Sequence, residues 1–136
     1  MATKNSATFR NTVPNGTFGT ISKAEGTATF DGDAIDTTIN VMKLEAGTKI
    51  FGIKAFNDAL GASTTVKIGY AFLDAGDGTD DDDGFVAATA TVTAGTLSYT
   101  GKPITFDVPV IVTVTNEGGV ATGDVVVIPE YEFRGV

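Results

Sequence analysis

The sequence contains no cysteine, no histidine and no tryptophan. Without cysteine there are no disulfides, and a chain of this size must take its stability from packing or from association. The joint absence of cysteine and histidine excludes zinc and iron–sulfur sites built on them, Ser-His-Asp triads and cysteine nucleophiles. It also removes the side chain that titrates near neutrality, so a general base would have to be a strongly shifted carboxylate, lysine or tyrosine. Basic charge is scarce: nine Lys and Arg stand against seventeen Asp and Glu, for a formal charge of −8 and a pI near 4.2. A nucleic-acid binder displaces counterions from phosphate with a basic surface, and none is visible. Long apolar runs are missing too. The longest, Val108–Val112 and Val125–Pro129, are strand-sized, far short of the roughly 20 residues a membrane helix needs. Met1–Phe9 carries one lysine and no apolar run, so no secretory signal is expected. The expectation is a soluble protein made without export, and the absence of cysteine agrees with a cytosolic origin.

What is present points to strands. The 136 residues and 13.9 kDa suit one domain, and Thr (22), Gly (17) and Val (14) dominate. Thr and Val are β-branched and fit a pleated surface, while glycine punctuates turns. In Ser63–Phe72, Val66, Ile68, Tyr70 and Phe72 fall on one face. In Ile104–Thr115, Ile104, Phe106, Val108, Val110, Val112 and Val114 point one way and mostly polar residues the other. Pro109 interrupts that run and marks an edge, a bulge or a break. Gly123–Arg134 places Val125, Val127, Pro129, Tyr131 and Phe133 on one face.

Further strands are predicted at Thr17–Lys23, Thr27–Phe30, Ile35–Leu44, Lys49–Asn57, Phe85–Val92 and Leu97–Thr100, separated by Gly, Asn and Asp turns. At most one helical turn is predicted, near Asn57–Leu60. The fold class is therefore all-β, an antiparallel β-sandwich with jelly-roll topology leading. Residues 17–136 form the sandwich domain. Residues 1–16, polar apart from Phe9 and Val13, read either as a frayed terminus or as an arm docking on a neighbouring subunit.

One segment has chemical character. Asp74, Asp77, Asp80, Asp81, Asp82 and Asp83 crowd a glycine-rich stretch and supply six of the seventeen acids. Dense Asp can ligate Ca²⁺ through hard oxygens. The EF-hand pattern fails, because the twelfth position counted from Asp74 is Phe85 rather than Glu. The same residues also read as a solvated hairpin tip. Glycoside hydrolysis needs two carboxylates across a cleft, and the sequence signals no cleft. No phosphate-binding glycine–lysine loop is present, so no catalytic residues are assigned and no cofactor is expected beyond a Ca²⁺ ion at this segment. The aromatics fall mostly at strand-alternating positions, as core residues do.

The stretch from Ile39 to Thr91 reads as a strand, the turn Glu45-Ala46-Gly47-Thr48, a strand to Asn57, and then Ala59-Leu60-Gly61-Ala62-Ser63-Thr64-Thr65-Val66-Lys67-Ile68-Gly69. An Asp-rich loop and Phe85-Val86-Ala87-Ala88 follow. This order resembles small virion structural proteins of tailed bacteriophages, the head-decoration or cement proteins. The resemblance implies a non-enzymatic protein on the capsid surface, bound to the major capsid protein and to itself, with a homotrimer favoured over a dimer. The expected capsid or subunit contact is the N-terminal segment, through Phe9, Arg10 and Val13, together with an edge strand. The alternative is a calcium-dependent carbohydrate- or surface-binding module using Asp74–Asp83. A tail or fibre component is a third reading.

Overall fold

The computed structural model describes residues 2–10 and 20–134. Among them eleven strands form: β1 (Thr3–Asn5), β2 (Ile21–Lys23), β3 (Gly26–Asp33), β4 (Thr38–Leu44), β5 (Thr48–Asn57), β6 (Thr65–Phe72), β7 (Asp81–Ala90), β8 (Gly95–Tyr99), β9 (Ile104–Phe106), β10 (Val110–Glu117) and β11 (Ala121–Phe133). Sheet A runs β1-β4-β10-β6-β7, and sheet B runs β2-β11-β5-β8, with β3 beside β11 and β9 beside β5.

The pairing is that of one long hairpin rolled upon itself. Counting inwards from the ends, β3 pairs β11, β4 pairs β10, β5 pairs β8 and β9, and β6 pairs β7, all antiparallel. Rolling adds the lateral pairs β5–β11 and β6–β10 and splits the ribbon into two facing sheets. This is the jelly roll expected from the alternation.

Prolines decide where strands break. The predicted run Ile104–Thr115 is two strands in different sheets: Thr105 pairs with Lys49 in sheet B, whereas Ile111 pairs with Lys43 and Ala71 in sheet A. Asp107–Pro109 is the corner between them. Pro109 cannot donate to a ladder, but its carbonyl accepts the Leu73 N–H at 3.2 Å. Pro129 acts more subtly. It sits inside β11, where β2 and β3 lie along the same side in one continuous register. The missing N–H opens the ladder at Ala24–Glu25, leaving the Ala24 N–H on the Pro129 carbonyl at 3.4 Å.

Ile39, Leu44, Ile50, Ile68, Val112, Val125, Val127 and Tyr131 are fully buried between the sheets. At one end, Tyr70, Phe85, Phe106 and Tyr99 bridge the layers, with centroids 4.9 Å apart for Tyr70–Phe106 and 5.6 Å for Phe85–Tyr99 in edge-on geometry. The opposite end is closed by polar groups that satisfy one another. The Asn116 side chain accepts the Thr37 N–H at 3.0 Å and donates to the Gly119 carbonyl at 3.2 Å, and the Thr91 hydroxyl donates to Thr64 at 3.0 Å. Among the described residues no buried side-chain polar atom lacks a partner, as a rigid interior requires.

Two expectations are corrected. No helical turn forms at Asn57–Leu60, because the chain there is drawn into sheet pairing: Asp58 N–H reaches the Asp124 carbonyl and Leu60 N–H the Thr91 carbonyl, both at 2.9 Å. Leu60 is buried as a plug. The short 3₁₀ turn lies instead at Ala75–Asp77. The second concerns β7, which begins at Asp81 rather than Phe85, so half of the acidic segment belongs to a strand.

Candidate functional site

The acidic segment divides in two. Asp74 caps the 3₁₀ turn, its carboxylate accepting the Gly76 N–H at 3.1 Å, and Asp80 accepts the Phe72 N–H at 2.8 Å. These acids, with the exposed Asp77, shape the β6–β7 connection. Asp81, Asp82 and Asp83 lie on β7 and bring carboxylate oxygens within 4.8 Å of one another. A hydrogen bond to Asp81, then burial and the Asp81 and Asp82 charges, push the Asp83 carboxyl above its usual range, against the pull of Lys67.

Between Ile68↔Val86 and Tyr70↔Asp81 the β7 register slips, so Asp82–Phe85 bulge while β6 advances by Gly69 alone. The bulge crosses the outer face of sheet A directly over Gly69, where a Cβ would collide with the main chain of Asp81 and Asp82. Lys67 fastens it, with Nζ 2.8 Å from Asp82 and 2.8 Å from Glu117. Hydrogen bonds to Asp82 and Glu117 hold the Lys67 ammonium well above the usual lysine range, outweighing its partial burial. Gly69, Lys67 and Glu117 are the parts the sequence reading missed. A glycine at mid-strand between Ile68 and Tyr70 was the available signal, since such glycines mark a close backbone approach. Beside the bulge a groove of about 530 Å³ opens on the outer face of sheet A, lined by Thr38, Asn40, Tyr70, Ile111, Thr113 and Asp80–Asp82.

The N-terminal segment is tied to its own sandwich as far as Thr8. β1 lies parallel to β4, Ser6 N–H donates to the Asn40 carbonyl at 2.9 Å, and Thr27 N–H reaches the Thr8 hydroxyl at 3.3 Å. Lys4 Nζ sits 2.6 Å from the Asp33 carboxylate. Phe9 is half-buried and Arg10 exposed; Val13 lies outside the described residues. Burial raises the Asp33 carboxyl, but the Lys4 hydrogen bond, the Asp31 amide and the Lys4 charge together hold it below its usual value. A depressed carboxylate stabilises above its unfolded pKa, and that contribution is lost as pH falls through the lowered value. Lys4→Ala should therefore reduce hydrogen-exchange protection of the Ser6 and Thr38 amides by about two- to fivefold at neutral pH, and by less at about pH 3, below the ordinary aspartate pKa. An equal difference at both pH values would show that the pair does not hold β1.

All four sheet edges are interrupted. β1 has three residues, β7 carries two register shifts, β2–β3 opens opposite Pro129, and β8–β9 is split by Gly101–Pro103. Such breaks oppose edge-to-edge pairing.

No family model matches the sequence, and no curated protein matches it. Solved structures do. A chain of the capsid of Ralstonia phage GP4 superposes with a TM-score of 0.75 at 17% identity, over 99% of this chain and 99% of that one. This chain has the fold of phage capsid chains. A chain of the cyanophage Pam1 capsid matches at TM-score 0.65 and 22% identity, over 93% and 95% of the two chains. One from the acid-stable capsid of Helicobacter pylori bacteriophage KHP30 matches at 0.62 and 14%, over 87% and 91%. The jelly roll is thus shared over nearly the full length of each partner, while the identities confine the likeness to fold.

Proposed function

We propose that this protein is a non-enzymatic structural component of a tailed-phage virion, a decoration or cement protein that binds the major capsid protein on the outer surface of the head. The observation that carries this reading is the end-to-end fold match to chains of phage capsids, in which neither chain has a large unmatched part. The physical design agrees. A protein that clamps shell subunits needs a stiff body that loses little entropy on docking, and here the interior is packed, the buried polar groups are paired and the edges are guarded. The absence of histidine and cysteine leaves few routes to catalysis near neutral pH.

Within the proposed N-terminal arm, residues 1–16, Thr3–Asn5 anchor on the 17–136 body as β1, and Phe9, Arg10 and Val13 are the contacts with the shell or a neighbouring subunit. The protein is made in the host cytoplasm and works as a homo-oligomer, a trimer ahead of a dimer. Co-sedimentation of purified protein with heads that lack it tests this. Wild type should bind saturably, and Phe9→Ala combined with Arg10→Glu should weaken binding about tenfold or more. Unchanged binding by that variant would remove the arm from the contact.

The clustered Asp81–Asp83 carboxylates favour one other reading, a Ca²⁺-dependent surface-binding module. A cation bound only by the folded state must raise the melting temperature. The virion reading expects none of that rise, since Lys67 already neutralises Asp82.

A further inference from the structure

The outer face of sheet B carries a groove of about 600 Å³ between β5, β8 and β11. Gly52 puts no side chain there, the Tyr99 main chain lies beside it, and the outward apolar side chains are those of Phe56 and Ile128. Phe56 is 43% exposed, a large apolar surface for an isolated copy. The rim carries Lys54, Lys23 and Glu130 and is net positive: Lys54 lies 5.4 Å over the Phe56 ring and makes no ion pair among the described residues, and Lys23 meets Glu130 at 3.6 Å with both side chains largely exposed.

The same chain carries the complement elsewhere. Leu73 is 49% exposed, an isolated apolar knob flanked by Asp74, Asp77 and Asp80. It is held in place, with its N–H on the Pro109 carbonyl and the following turn capped by Asp74, so presenting it costs little further ordering. The knob leaves an edge of sheet A and the groove opens on the outer face of sheet B, so the two match between copies.

We infer that the groove on sheet B receives the Leu73–Asp80 loop of a second copy, with Leu73 seated against Phe56 and Ile128 and the loop acids facing Lys54 and Lys23. Charge complementarity selects this occupant. Copies of net charge −8 repel over most of their surface, and an acidic loop meeting a lysine-rimmed groove reverses the sign locally. Knob and groove are different patches, so the contact is heterologous, and such head-to-tail contacts close into rings when the rotation permits. The inference deepens the homo-oligomeric part of the reading above and needs no shell for its test.

Light scattering on the purified full-length protein, at low and high ionic strength, provides that test. Wild type should show a mass above the 13.9 kDa monomer at low salt and dissociate as salt rises. Lys54→Glu and Asp77→Lys should each weaken association about tenfold or more. The double variant, with both charges exchanged in one chain, should recover it, and Leu73→Ser should lose it at every ionic strength. All three substitutions are at exposed positions, so circular dichroism should report an unchanged fold. A monomer under all conditions, or an oligomer indifferent to both charge reversals, overturns the inference. Heads still decorated by such a protein would leave the virion reading intact.

Discussion

Phe30→Ala is expected to lower the stability of the fold by about 3–5 kcal/mol, the range for truncating a buried aromatic. Phe30 lies on β3 opposite Gly123 and is 1% exposed. Because β3 and β11 are the outermost pair of the rolled hairpin, this ring helps to secure that pair on the core. For a domain of this size the loss corresponds to a fall in Tm of roughly 10–20 °C. Phe30→Leu, which refills most of the volume, should lose less than half as much. Urea midpoints at unchanged m-value measure both. A loss below about 1 kcal/mol for the alanine variant would mean that β3 is not part of the cooperative core.

Gly69→Val should be the most disruptive single change on the outer face of sheet A. Its Cβ would run into the Asp81 and Asp82 main chain, which no rotamer change relieves. The bulge must lift, and lifting separates Asp82 from Lys67, leaving three neighbouring carboxylates without their cation. A cost of about 2–4 kcal/mol is expected from overpacking and the lost ion pair together. Lys67→Met removes the fastening without the collision and should cost about 1–2 kcal/mol. The two differ in a second readout: limited proteolysis should cut near Asp81–Phe85 in Gly69→Val far faster than in Lys67→Met. Equal cleavage would mean that the ion pair, rather than the glycine, seats the bulge.

Much of the fold was legible because jelly-roll strands alternate cleanly. Val66, Ile68 and Tyr70, and likewise Val125, Val127 and Tyr131, announce their inward face in the sequence, and Pro109 announces a break. That Ile104 and Val110 belong to different sheets could not be read, because both sides of the corner keep the same alternation and only long-range pairing separates them. The start of β7 was hidden for another reason. Asp81–Asp83 have the composition of a solvated loop, yet the partner that draws them onto the sheet, Gly69, lies a dozen residues earlier and acts by having no side chain. The sheet B groove was equally silent, since Phe56 and Ile128 read as ordinary strand residues until β5 and β11 are placed side by side. The six aspartates looked like one cluster; the fold spends Asp74 and Asp80 on main-chain hydrogen bonds and gathers only Asp81, Asp82 and Asp83.

The most direct test of the proposed virion role is cryo-electron microscopy of the phage particles to which that proposal assigns this chain, with protein mass spectrometry of the same particles. Jelly-roll density matching this chain should lie on the outside of the head, in fixed ratio to the major capsid protein, with the segment around Phe9 and Arg10 against the shell or a neighbouring copy. Particles without the chain, or with it confined to the tail, would contradict a role in decorating the head.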